Sequence, residues 1–121
     1  MIPMNKYLIE GVYNWVCDNL ETPVIAVNVY KSNRLKIPKM DANSEGIIFL
    51  DISVAAAQNL SINTTGIEFQ GLHNGEFIDV YIPIESVVSV FSFETKEGFQ
   101  LPNILDSSQE INKTPILKLV Q

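Results

Sequence analysis

Cysteine and histidine are nearly absent from this chain of 121 residues, which holds one of each, Cys17 and His73. A single cysteine excludes an internal disulfide, and a single histidine excludes most histidine-built metal sites. Positive charge is also short. Eight Lys and Arg face fourteen Asp and Glu, giving a net charge of −6 and a pI near 4.6. Nucleic-acid binding needs Lys and Arg gathered on one face, so this balance argues against it. No apolar run approaches the ~20 residues that span a bilayer. No basic segment leads into an apolar stretch, so no secretory signal is expected. There is no Gly-rich phosphate loop. What is present is apolar material: 46% hydrophobic residues, enough for one core and too few for two. The expectation is a soluble, intracellular, single-domain protein without metal or cofactor.

The pattern from Asn5 to about Leu20 predicts a helix. Tyr7, Leu8, Gly11, Val12, Trp15 and Val16 recur at helical spacing, and Ile9, Tyr13, Val16 and Leu20 form a second apolar row. A helix on its own sheet needs an apolar face of roughly 100°. This one has more, so it either meets a second partner or is sunk deep in its own core. Gly11 within the pattern costs about 1 kcal/mol relative to Ala, which close approach of another backbone would explain. Thr22-Pro23 ends the helix.

Beyond Pro23 the period becomes two. Val24 to Tyr30 reads as a strand, Lys31-Ser32-Asn33 as a turn, and Arg34 to Ile37 as a short return strand stopped by Pro38. Gly46 to Ile52 is nearly all apolar, as a central strand would be. Gly66 to Gln70 and Glu76 to Ile82 flank an Asn74-Gly75 hairpin turn, closed by Pro83, and Val87 to Phe93 is a further strand. One helix and about six strands make an α+β domain dominated by antiparallel sheet. Between strands, Ser53 to Leu60 carries Ala55, Ala56 and Ala57. It is either a tightly packed helical turn or a floor of small residues on which another chain can lie. From 103 to 114 the chain is polar and aperiodic, a flexible linker after a body of residues 1–102. It then ends in an apolar run, Pro115 to Gln121, which is either a last strand or a ligand for another protein's groove.

No catalytic constellation emerges. Cys17 reads as a small buried residue of the helix and His73 as a solvated neighbour of the turn. Asp51 and Glu68 lie in strand patterns without paired spacing. Asn59-Leu60-Ser61 and Asn63-Thr64-Thr65 match the glycosylation pattern by chance, given no secretory signal. Lys31, Arg34, Lys36 and Lys39 are the one concentration of positive charge, either a solvated hairpin rim or a local anion-attracting patch. These residues point to a binding protein rather than an enzyme.

Several short stretches, in order, resemble the stringent starvation protein B (SspB) family. They are Tyr7-Leu8 through Tyr13-Asn14-Trp15, Asp18-Asn19 with Thr22-Pro23, Val27-Asn28-Val29, Ile37-Pro38, Gly46 to Ile52, Asn59-Leu60, Phe69, and the ending Pro115 to Val120. The resemblance implies an adaptor of the bacterial cytoplasm that delivers ssrA-tagged proteins to the ClpXP protease. It implies a partly open barrel of two sheets after an N-terminal helix, and a homodimer formed through that helix at Tyr7, Leu8, Gly11, Val12 and Trp15. The tag, an extended peptide, would lie along Ala55, Ala56, Ala57 and Gln58 and along Phe69, Gln70 and Gly71. Pro115, Ile116, Leu117, Lys118, Leu119 and Val120 would dock on the N-terminal domain of ClpX. The chain departs from the family pattern at Leu72 and just before Glu94, where Arg is expected, and ends in Gln121 where Lys is usual. The linker is also shorter than in members with long acidic tails.

Two other classes fit the same composition. One is a nucleic-acid-binding module on a small Sm-like barrel, opposed by the six cations and twelve carboxylates of residues 1–102. The other is a structural subunit whose tail is merely a final strand.

Overall fold

The computed structural model describes residues 4–37 and 42–101. Helix α1 (Met4–Asp18) is followed by β1 (Pro23–Asn28), β2 (Ile47–Asp51), β3 (Ala57–Ile62), β4 (Gly66–His73), β5 (Glu76–Pro83), a 3-10 turn at Ile84–Ser86, β6 (Val87–Ser92) and β7 (Gly98–Gln100). The strands form two antiparallel sheets, ordered β2-β1-β6-β7 and β3-β4-β5. This is the expected α+β architecture, and the sheets do not close. The linker 103–114 and the ending 115–121 lie outside the described residues.

Inward residues of both sheets make one core. Ile25, Val27, Ile48 and Val90 come from the first, Ile67, Phe69, Val80 and Ile82 from the second, and Ile9 of α1 joins them. Ile9, Ile25, Ile67 and Ile82 are completely buried. Each contributes about 1.5–3 kcal/mol of apolar burial, so this cluster dominates the stability of the body. α1 lies mainly against β6.

Local chemistry sets the connections. At the β4–β5 turn Asn74 and Gly75 both adopt positive φ, +51° and +82°, as a two-residue turn between paired His73 and Glu76 requires. Between β3 and β4 the Asn63 Oδ1 accepts from the amides of Thr65 and Gly66 and from the Thr65 hydroxyl, at 2.9–3.1 Å. Gly66 is forced by space: a Cβ there would stand 2.5 Å from the Ile82 carbonyl oxygen.

The structure corrects several expectations. β1 stops at Asn28, and Arg34 to Ile37 is no return strand. Lys36 instead makes a single bridge to Tyr81 of β5, with both backbone bonds at 2.8 Å. β2 is an edge strand, not a central one. Its apolar character comes from serving two faces, Ile48 in the core and Phe49 edge-to-face with Phe91, 6.2 Å between ring centroids. Ser53 to Leu60 is not one helical turn but a turn closed onto the Ser53 carbonyl, then strand β3 from Ala57. β7 was not expected, because three residues carry too little period. Leu20 does not join the inner row of α1. It sits past the helix end at φ +58° and is 94% exposed. His73 is half-buried at the end of β4, and Cys17 is half-buried on α1.

Candidate functional site

The small-residue segment and the next strand meet across β3 and β4. Ala57 pairs with Gly71 and Gln58 with Gln70. Ala57 is 4% exposed and faces inward. Gly71 faces the same way: a Cβ there would lie 3.4 Å from the Phe69 ring, an ordinary contact. Alternation along β4 puts Phe69 in the core and Gln70 on the outer face. The seven expected peptide-binding residues therefore divide. Ala57 and Gly71 form a low spot without side-chain bulk. Gln58 and Gln70 stand on the outer surface. Phe69 is buried beneath, Ala55 is exposed in the turn, and Ala56 is half-buried.

Beside Ala57 opens a hollow of about 410 Å³, lined by Tyr13, Val54, Ala57, Gln58, Asn59 and Leu60. Its walls are α1, the turn after β2, and β3. Among the described residues β3 is an edge strand, and its second side has no strand partner there. Sequence reasoning missed Tyr13, Val54, Asn59 and Leu60. Tyr13, part of the second apolar row of the helix, is half-buried, and burial together with the nearby Cys17 thiol raises the pKa of its phenol. Asn59 lies in a bulge between Gln58 and Ser61 at φ +58°, a conformation Asn tolerates better than most residues. An Asn after a strand start was the one available signal.

A second feature lies on α1. Met4, Tyr7, Gly11 and Trp15 recur on its outer side, and Met4, Tyr7 and Trp15 are 65%, 54% and 43% exposed. A Cβ at Gly11 would meet nothing within 4 Å. Nothing in the described residues of the protomer therefore requires a glycine there. The other two residues expected at a dimer contact, Leu8 and Val12, are half-buried against the core. The helix thus carries two apolar faces, one inside through Ile9 and Val16 and one outside. Near the outer face a hollow of about 450 Å³ is lined by Val12, Trp15, Lys96, Glu97, Gly98 and Phe99, next to the open edge of β7.

Of the positive cluster, Lys39 lies outside the described residues. Arg34 is tied to Glu85 at 2.5 Å, both about half-exposed. Burial pushes Glu85 up, but the Arg34 hydrogen bond and charge outweigh it and hold the carboxyl below the usual range. Lys36 is held by its backbone to β5. Among the described residues no helix is long and apolar enough to cross a membrane.

Most of the chain is similar to known proteins. A homologue of stringent starvation protein B from Haemophilus influenzae is 28% identical over 115 residues, covering 93% of this chain and 73% of that one. The family model described as stringent starvation protein B matches residues 3–117, from before α1 to within the apolar ending. A match running through the helix, both sheets and the linker leaves no part of the body to another origin: the chain belongs to the stringent starvation protein B family.

Proposed function

We propose that this protein is a non-catalytic adaptor that captures ssrA-tagged proteins and delivers them to the ClpXP protease in the bacterial cytoplasm. The observation that carries the peptide-binding part is the Ala57–Gly71 pair. Two residues with almost no side chain are paired across β3 and β4, and Ala57 lies at the foot of a hollow, beside a strand edge that is unpaired among the described residues. An extended peptide needs such a combination: room for its backbone, an edge for its hydrogen bonds, and alternate pockets for its side chains. Tyr13 and Val54 give the hollow apolar walls, and Gln58 and Asn59 give it polar contacts.

The adaptor does no chemistry. It raises the concentration of substrate at the protease. Residues 103–114 act as a tether of about 12 residues, with an r.m.s. reach of roughly 20 Å. Pro115 to Val120 docks on the N-terminal domain of ClpX, with Leu117, Leu119 and Val120 as apolar anchors and Lys118 aiding specificity. Tethering makes the weak docking contact intramolecular, and a homodimer through the outer face of α1 carries two tails.

The test is a binding titration of the full chain with an ssrA peptide and a scrambled control, followed by a degradation assay. The tag should bind and the control should not. Deleting Pro115 to Gln121 should leave tag binding intact and remove the stimulation of degradation at low substrate. Stimulation that survives the deletion refutes the tether, and equal binding of the scrambled peptide refutes the site.

A further inference from the structure

On the outer face of the three-stranded sheet, three polar side chains form a row across all three strands. Asn59 Nδ2 of β3 donates to Gln70 Oε1 of β4 at 3.1 Å. Gln70 Nε2 in turn donates to Asp79 Oδ1 of β5 at 3.3 Å. Gln70 and Asp79 are directly paired, and Asn59 reaches Gln70 from the bulge.

The direction of this row is not free. A carboxylate only accepts hydrogen bonds, whereas an amide side chain has an accepting end and a donating end. Asp79 therefore takes the NH₂ of Gln70. That turns the Gln70 oxygen toward β3, where it takes the NH₂ of Asn59. Among the described residues nothing donates to Asn59 Oδ1. The row begins with a carboxylate on one edge strand and ends on the other with a carbonyl acceptor, on a residue that lines the hollow.

From this geometry we infer that Asp79 and Gln70 are positioning residues that fix Asn59 as a hydrogen-bond acceptor, and that Asn59 selects peptides carrying a side-chain N–H donor at the position lying beside it. The inference rests on the reading of this hollow as a peptide site and adds its selectivity. A peptide with an apolar or acceptor-only side chain there leaves Asn59 Oδ1 desolvated and unpaired, which costs more than a merely absent contact. Two amides alone could flip together and accept either kind of ligand; the carboxylate removes that freedom.

The test uses the full chain, an ssrA peptide, and a panel in which each side-chain donor of that peptide is replaced in turn by an isosteric group without one. For the wild type, one position should lose about tenfold in affinity. Gln70→Leu breaks the row and should reduce that discrimination to within about threefold of none. Asp79→Asn, nearly the same shape, can point either end of its amide at Gln70 and should also weaken the discrimination. Asn59→Asp keeps an acceptor and should retain it. Melting curves establish that each variant is folded. Wild-type binding with a flat panel, or the same discrimination in Gln70→Leu and Asp79→Asn as in the wild type, overturns the inference alone. No binding of the peptide to the wild type overturns the site reading and this inference with it.

Discussion

Replacing Gly11 by Leu should stabilise the separate protomer and weaken the dimer. The two effects have opposite signs because they arise on opposite sides of the same residue. Within the protomer, Gly11 occupies the middle of α1, and a Cβ there meets nothing within 4 Å. An exposed helix interior favours Leu over Gly by about 0.8 kcal/mol, so at high dilution the melting temperature should rise by about 3–6 °C. In a dimer packed through Tyr7, Gly11 and Trp15, the added isobutyl group enters a contact that the glycine keeps close. Overpacking costs about 1–3 kcal/mol, and a two-fold interface receives the insertion twice. The dissociation constant should therefore rise at least about tenfold, since 1.4 kcal/mol is a factor of ten. Sedimentation equilibrium across a concentration series, beside thermal melts of dilute samples, reads both effects. A wild-type protein that is monomeric at micromolar concentration, or a Gly11→Leu variant that associates as tightly as the wild type, refutes the reasoning.

Leu20 holds φ +58° while 94% exposed, so Leu20→Gly should relieve a left-handed strain of about 1 kcal/mol and raise the melting temperature by about 4–8 °C; an unchanged or lower value speaks against it. Gly66→Ala should destabilise the body by about 1–3 kcal/mol, because the new methyl meets the Ile82 carbonyl, whereas Gly71→Ala should be nearly neutral in denaturant melts and yet reduce affinity for the ssrA peptide. Equal stability losses at the two glycines would remove the distinction between a packed glycine and a binding one. The Thr22 backbone amide and hydroxyl donate to the Glu94 carboxylate at 2.8 and 2.7 Å and hold it below the usual glutamate range. Its stabilising effect is complete above that range and drains away as the pH falls through the lowered folded value, so Glu94→Gln should flatten the acid side of the melting-temperature profile. A profile identical to the wild type sinks that assignment.

The parts of the fold that could be read in the sequence are those where local chemistry and burial agree. The Asn74-Gly75 turn fixed the β4–β5 hairpin because few other residues accept two successive positive φ values. β1 and β6 stood out because central strands are apolar on both faces, and α1 because its apolar positions follow the helical period. The errors fall where tertiary contact overrode the local pattern. β2 looked central since its outward Phe49 packs on Phe91, which imitates burial on both sides. Arg34 to Ile37 alternates like a strand, but its bridge goes to Tyr81, more than forty residues away, and no local signal reports that partner. The alanine run suggested a turn or a floor for another chain, and the chain there makes a turn followed by the start of β3, a change of conformation that three identical residues cannot announce.

The candidate site was legible only as far as small residues mark it. Ala57 and Gly71 stand out in sequence because they withhold bulk, and they do meet across β3 and β4. The residues that shape what meets them do not stand out. Tyr13 has the spacing of an inward helix residue and becomes a wall of the hollow beside β3, which among the described residues is an edge strand. Asn59, Gln70 and Asp79 are eleven and nine residues apart, ordinary polar positions of three strands. Their alignment depends on the bulge after Gln58, which shifts Asn59 into reach of Gln70. Without that one-residue slip, alternation along β3 would place the residue after Gln58 on the opposite face from Gln70. A bulge of this kind is set by the whole sheet rather than by its own few residues. The selectivity of the hollow is therefore decided at the one point of β3 where the period-two pattern, the main guide to strands in a sequence, breaks down.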